Sequence, residues 1–93
     1  MSKVIEKKVL AKYFDQIISG EKTYEVRLAD WECKPGDTLV LTEIDNISKN
    51  PTGRLIRKKV GFVGKTKDFD FWSKEAVDKY GYQVISLLDE VKQ

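Results

Sequence analysis

"KPGDTLVLTEI", residues 34 to 44, carries the signal that decides the fold. Pro35 presets φ for the first central position of a turn and Gly36 can take positive φ at the second, so KPGD marks a reversal of the chain. The seven residues after it are rich in strand formers, and both sides of their period-two alternation are largely apolar. A sheet with one wet face would show a clean apolar/polar alternation. This run predicts a strand inside a closed or covered sheet.

Working outward, "DNISKNPTG" at 45 to 53 reads as a loop, and a long strand is expected from about Arg54 to Gly64, with Gly61 and Gly64 hinting at a bend or bulge. Residues 72 to 80 have helical spacing, with Ala76, Val77 and Tyr80 on one side and Gly81 as the stop. "YQVISLL" at 82 to 88 reads as a final strand. On the other side, residues 22 to 28 alternate, placing Tyr24, Val26 and Leu28 toward a core and Thr23, Glu25 and Arg27 outward. "AKYFDQIISG" puts Tyr13, Phe14, Ile17 and Ile18 at helical spacing, and Gly20 suits the left-handed residue past a helix end. Residues 4 to 10 suggest a short first strand. The order β-α-β-β-β-α-β with short connections predicts one α+β domain over 1–93 with a mixed, curved sheet. One helix follows the first strand and a second, short helix precedes the last; closure into a small barrel would remove the exposed edges.

Composition excludes much chemistry. A chain of 93 residues buries roughly 60–65% of its unfolded surface, enough for one core. There is no histidine and a single cysteine, Cys33. That removes Ser-His-Asp and Cys-His nucleophilic machinery, imidazole acid/base catalysis and the common zinc sites. Carboxylates, lysines, tyrosines and hydroxyls remain. No dense Asp/Glu cluster advertises a magnesium site, so neither metal nor cofactor is expected. No apolar run reaches the length of a membrane span, the N-terminus has no secretory character, and no internal disulfide is available. The expectation is a cytoplasmic protein with no membrane partner; oligomeric state is left open, a monomer being consistent with the composition.

The net charge of +2 is small, but its distribution is uneven. Lys49, Arg54, Arg57, Lys58, Lys59, Lys65 and Lys67 fall in a stretch with no acidic residue. Lysine-protected strand edges and solvated faces account for such a run on one reading. On the other, Arg54, Arg57, Lys58 and Lys59 form a phosphate-facing patch. "GEKTYEVR" at 20 to 27 raises the same choice. Glu25 and Arg27 read either as a weak surface pair or, with Thr23 and with Lys22 at a helix exit, as donors and acceptors for a base edge or phosphate. Trp31, Phe69, Phe71 and Trp72 flank predicted loops, where aromatic rings either cap a small core or stack on bases.

The combination of "KYFDQIISG" (12–20), "SGEKTYEVR" (19–27) and "KPGDTLVLTE" (34–43), with "TGR" (52–54), "VGFV" (60–63) and "YQVISL" (82–87), resembles the ASCH domain of the PUA-like superfamily. It is most similar to the bacterial and phage ASCH-like branch of unknown function. The resemblance implies a β-barrel-like fold and a cleft between the first helix and the barrel, lined by the G-x-K-x-x-E-x-R residues Gly20, Lys22, Glu25 and Arg27. Thr23 and Trp31 would lie beside them. ASCH domains are mostly inferred to bind RNA, so the resemblance implies an RNA or nucleotide ligand. Its alternative is a small amidohydrolase acting on an acylated nucleoside such as N4-acetylcytidine. In those enzymes a lysine matching Lys22 works with a threonine two to three residues later and a glutamate from the C-terminal half. Here the threonine position looks like Glu25, with Glu43 or Glu75 as replacement acids. Lys22 and Glu25 would be the catalytic pair of an enzyme; the departure at Glu25 favours binding.

Overall fold

The strand expected from TLVLTEI is the middle strand of the sheet. In the structure, a computed structural model describing residues 2–81, Thr38–Ile44 (β2) lies between Val4–Leu10 (β1), parallel to it, and Pro51–Lys59 (β3), antiparallel. Both faces of β2 are covered, as its apolar character on both sides requires: Val40 and Leu41, on opposite faces, are both buried. The KPGD turn forms as expected. Asp37 N–H donates to the Lys34 carbonyl at 3.0 Å, and Gly36 has φ +95°, a region that favours glycine.

Parallel pairing of β1 and β2 requires the chain to travel back along the whole strand between them. That return, residues 11–37, carries the helix Ala11–Ile18 (α1) and the charged segment after it. α1 presents Phe14 and Ile17 to Val9 of β1 and Leu41 of β2, with Leu39 and Ile56 packed around them. Burying each large apolar side chain here contributes about 1.5–3 kcal/mol. Tyr13 and Ile18 stay substantially exposed, so the apolar stripe of α1 is narrower than its sequence spacing suggests.

Two carboxylates fasten this frame. Asp37, 3% exposed, accepts from the backbone N–H groups of Lys3 (3.0 Å) and Lys34 (2.8 Å), tying the start of β1 to the turn before β2. These backbone donors hold its carboxyl below the usual carboxylate range. Glu43, also 3% exposed, accepts from Arg54 Nε at 2.8 Å, from a second Arg54 nitrogen and from the Thr52 hydroxyl. The guanidinium and then the hydroxyl lower its pKa. Arg54 also reaches Asp15 of α1 at 2.9 Å and lies over the Phe14 ring, 5.0 Å from its centroid. Helix, central strand and edge strand thus meet at one guanidinium, whose own pKa is raised by the two carboxylates.

Several expectations need correction. β3 runs Pro51–Lys59, not 54 to 64: it begins at a proline, where a missing N–H costs little, and takes up a register shift between Thr42 and Ile44. Gly61 and Gly64 lie beyond the strand. Residues 22–28 form no strand at all and pair with neither edge. Residues 66–68 add an unanticipated turn of 3-10 helix, Thr66–Asp68. The second helix is Lys74–Tyr80 (α2), started two residues late because Ser73 caps it by accepting from Ala76 N–H at 3.1 Å. On α2, Ala76 and Val77 are half-buried but Tyr80 is exposed. The coarse class, a small α+β domain with a mixed sheet and two α-helices, stands. Among the described residues the three-stranded sheet is open and not closed into a barrel. The strand expected at 82–88 lies outside the described residues.

Candidate functional site

The return crossover ends α1 in a way that aims the next residues. Gly20 takes φ +83° and donates to the Ile17 carbonyl at 3.1 Å; Lys22 N–H then donates back to the Gln16 carbonyl at 3.0 Å. This wraps the chain around the helix end and fixes where Lys22 leaves it. Lys22 Nζ donates to the Tyr24 carbonyl at 2.7 Å and to Glu25 Oε1 at 3.1 Å, while Arg27 Nε donates to Glu25 Oε2 at 2.9 Å. Arg27 also reaches the Lys8 carbonyl on β1 at 2.6 Å, docking the segment to the edge strand through a side chain in place of a backbone ladder.

This departs from the expected sidedness of GEKTYEVR, although Thr23 and Arg27 stay exposed as expected. Lys22 and Glu25 are the half-buried residues, and Tyr24, Val26 and Leu28 are the exposed ones, Leu28 at 79%. The reason is satisfaction of charge. Glu25 is bridged on both oxygens by cations that have further acceptors of their own, so its carboxylate can turn inward without a strand partner.

The segment walls a cleft of about 770 Å³. Its floor is the sheet surface at Leu39, Leu41 and Lys58; one wall is the 20–31 segment and the other is residues 60–65, which follow β3. Gly20, Lys22, Thr23, Glu25, Arg27 and Trp31, the residues singled out in the sequence, all line it. Trp31 supports the neighbouring Lys7, whose Nζ lies 4.1 Å from the ring centroid. Of the four basic residues proposed to hold phosphate, only Lys58 and Lys59 line the cleft. Lys59 donates to the Thr38 hydroxyl at 3.2 Å, and Lys58 has no hydrogen-bond or ion-pair partner among the described residues. The structure does not bring Arg54 or Arg57 there. Arg54 is engaged by Glu43 and Asp15, and Arg57 pairs with Val40, on the opposite face of the strand from Lys58. Neither Glu43 nor Glu75 reaches the cleft either.

Sequence reasoning missed the 60–65 wall, having assigned it to a strand. Lys65 stands on it, held by both oxygens of Glu32 at 2.9 Å each; the pair raises the lysine's pKa and lowers the carboxyl's. Because Glu32 follows the 20–31 wall, this ion pair ties the two walls together. Cys33 also lines the cleft, and its position there had no sequence signal. Among the described residues Lys22, Arg27, Lys58, Lys59 and Lys65 outnumber the one lining carboxylate, Glu25, giving an apolar-floored cleft with a positive rim. Such a site suits an anionic ligand with a flat apolar part. Among the described residues no group of three or more His, Cys, Asp or Glu is placed to hold a metal ion, and no helix is long and apolar enough to cross a membrane.

The sequence matches the DUF3850 family, a domain of unknown function, over residues 4–86. The chain belongs to that family. The match spans α1, the charged segment, all three strands and α2, so frame and cleft together make up the DUF3850 unit. An uncharacterized 12.9 kDa protein in the GpA 3' region of Escherichia phage P2 is 36% identical over 70 residues, which are 74% of this chain and 62% of the phage protein. The chain therefore covers less than two thirds of that relative's length. No solved structure matches it. Neither match names an ASCH or PUA-like relationship.

Proposed function

We propose that this DUF3850 domain binds a nucleotide unit of RNA in the cleft, holding the base against the apolar floor and the phosphates on the cationic rim. The observation that carries the reading is the convergence of Lys22, Glu25 and Arg27 with Lys58 around one concave, apolar-floored space. Glu25 fixes Lys22 and Arg27 in place. A lysine ammonium has three N–H donors and the guanidinium five, so each keeps donors beyond those Glu25 and the backbone take up. An unstacked base needs a flat apolar surface and edge donors, and its flanking phosphates need cations, which is the combination this cleft supplies. The finer fold reading, a PUA-like barrel of the ASCH type in a cytoplasmic protein, belongs to the same proposal. It draws support from the cleft between the end of α1 and the sheet.

The hydrolase alternative has less behind it. Both Glu25 oxygens are occupied by cationic donors, and among the described residues no second carboxylate lines the cleft to activate water. Titration of the labelled protein with short single-stranded RNAs, followed by amide and side-chain NMR, tests the binding reading. Saturable shifts at Lys22, Glu25, Arg27 and Lys58 are expected, with little change at Arg57. Shifts confined to Arg57 and the far face of the sheet, or no saturable shift at all, would overturn it.

A further inference from the structure

Trp31 stands on the β1 side of the cleft, and one face of its ring is already taken. Lys7 of β1 sends its ammonium over the indole, 4.1 Å from the ring centroid. Lys7 is in register with Leu41, a residue of the cleft floor, yet Lys7 does not itself line the cleft, whereas Trp31 does. The ring therefore lies between the ammonium and the open space. Among the described residues no other ring stacks on it. A half-buried indole held from behind and open in front is a flat surface fixed in place. Tyr24, the other aromatic residue of this wall, is placed differently: the cation over its ring, 4.8 Å from the centroid, is Lys22, which lines the cleft itself.

The charges around the floor are arranged so that they orient a ligand. Trp31 has Asp30 and Glu32 as chain neighbours, both exposed and neither lining the cleft. Glu32 is matched by Lys65 on the opposite wall, and Lys59 turns to the Thr38 hydroxyl. Lys58, in register with Leu39 of the floor, is left with its charge open to the cleft on the β3 side. Because β1 and β3 flank β2, the Trp31 and Lys58 sides are two strand spacings apart, about 10 Å. Base, sugar and phosphate of one nucleotide bridge such a span. The acidic neighbours disfavour a phosphate at the Trp31 end, and Lys58 favours it at the other.

We infer that Trp31 is the base-stacking platform of the cleft and Lys58 its phosphate anchor, so that one nucleotide lies across the sheet with its base toward β1 and its phosphate toward β3. Lys7 is a positioning residue that holds the ring from behind. This rests on the nucleotide-binding reading above and deepens it, fixing which surface takes the base and how the nucleotide is turned.

Trp31 emission, read in a Trp72→Phe background that leaves it the one tryptophan of the chain, reports stacking without any change at position 31. Adenosine 5′-monophosphate should quench it saturably, and ribose 5-phosphate should not. Calorimetric titration should show Trp31→Ala weakening the nucleotide by roughly 5- to 150-fold with ribose 5-phosphate unchanged, and Trp31→Phe restoring most of the loss. Lys58→Ala should weaken both probes alike. Lys7→Ala should weaken the nucleotide by about 2- to 5-fold and spare ribose 5-phosphate; equal loss for both would put Lys7 at the phosphate and remove its positioning role. If the nucleotide binds but Trp31 emission and the Trp31→Ala affinity stay unchanged, the platform is wrong and the cleft reading survives. Trp31→Ala weakening both probes equally would make Trp31 a wall residue only. If a short single-stranded RNA binds through Lys22 and the mononucleotide does not bind, the one-nucleotide span is wrong and the cleft reading again survives. If neither binds, both fall.

Discussion

Two glutamates in this small domain are each held by an arginine, and the two clusters do different work. Glu43 is almost fully buried, and its arginine gathers groups far apart in the chain: Arg54 joins Glu43 of β2, Thr52 of β3 and Asp15 of α1 above the Phe14 ring. Glu25 is less buried, at 22% side-chain exposure, and its partners Lys22 and Arg27 lie within three residues of it. The first cluster uses charge to fasten three elements together. The second fastens mainly itself and leaves cationic donors along a cleft. The same ion-pair chemistry is thus a clamp where partners from distant elements gather on a buried carboxylate, and, on the proposed reading, a receptor where they are local and line a cleft.

The largest expected effect lies beneath the first cluster. Phe14→Ala should cost about 3–5 kcal/mol, a large part of the stability of a domain this size, and urea denaturation should show it largely unfolded. A loss below about 1 kcal/mol would mean that α1 does not anchor the frame. At the second cluster the balance reverses. Lys22→Ala should leave the urea midpoint within about 1 kcal/mol of wild type while lowering affinity for single-stranded RNA about tenfold or more. A collapse of stability would make the Glu25 cluster a clamp as well.

Acid titration sharpens the contrast further. Asp37 and Glu43 have folded carboxyl pKa values depressed below their unfolded values, so the stability they contribute is present above the unfolded values of about 3.9 to 4.3. It is lost as pH falls through the lower folded values. Circular dichroism between about pH 5 and 2 should show acid unfolding, and Glu43→Gln, already lacking its share, should unfold less steeply with falling pH. The smallest effect separates the two faces of β3. Lys58→Ala should reduce the salt slope of RNA binding by about 0.7, the share of one single-strand phosphate contact, while Arg57→Ala should leave the slope unchanged.

Much of the frame was legible because it obeys local rules. Residues 4–10, 11–18 and 38–44 form the expected elements, and the glycines at 20, 36 and 81 all take positive φ. The failures have physical causes. GEKTYEVR alternates like a strand, but alternation only says that two sides differ; it does not say which side is buried or supply a hydrogen-bonding neighbour. Once Arg27 found the Lys8 carbonyl and Glu25 took two cations, Lys22 and Glu25 could turn in while Tyr24, Val26 and Leu28 stayed out. The basic run at 54–59 read as one patch because sequence does not reveal the register of β3. Paired with β2, the strand sends Lys58 to the cleft face and Arg57 to the other, while Glu43 claims Arg54.

By itself the sequence determined that the fold is a small α+β unit with a doubly apolar central strand, that histidine and disulfide chemistry are absent, and that Gly20 through Trp31 hold the polar groups of interest. Periodicity, turn chemistry and composition are local properties, and they suffice for that. Only the tertiary structure decided that this segment is a cleft wall and not a strand, that residues 60–65 face it, and which of the basic side chains line the cleft. Those outcomes depend on contacts between residues up to 39 positions apart, formed only when α1 packs on the parallel pair and β3 takes its register.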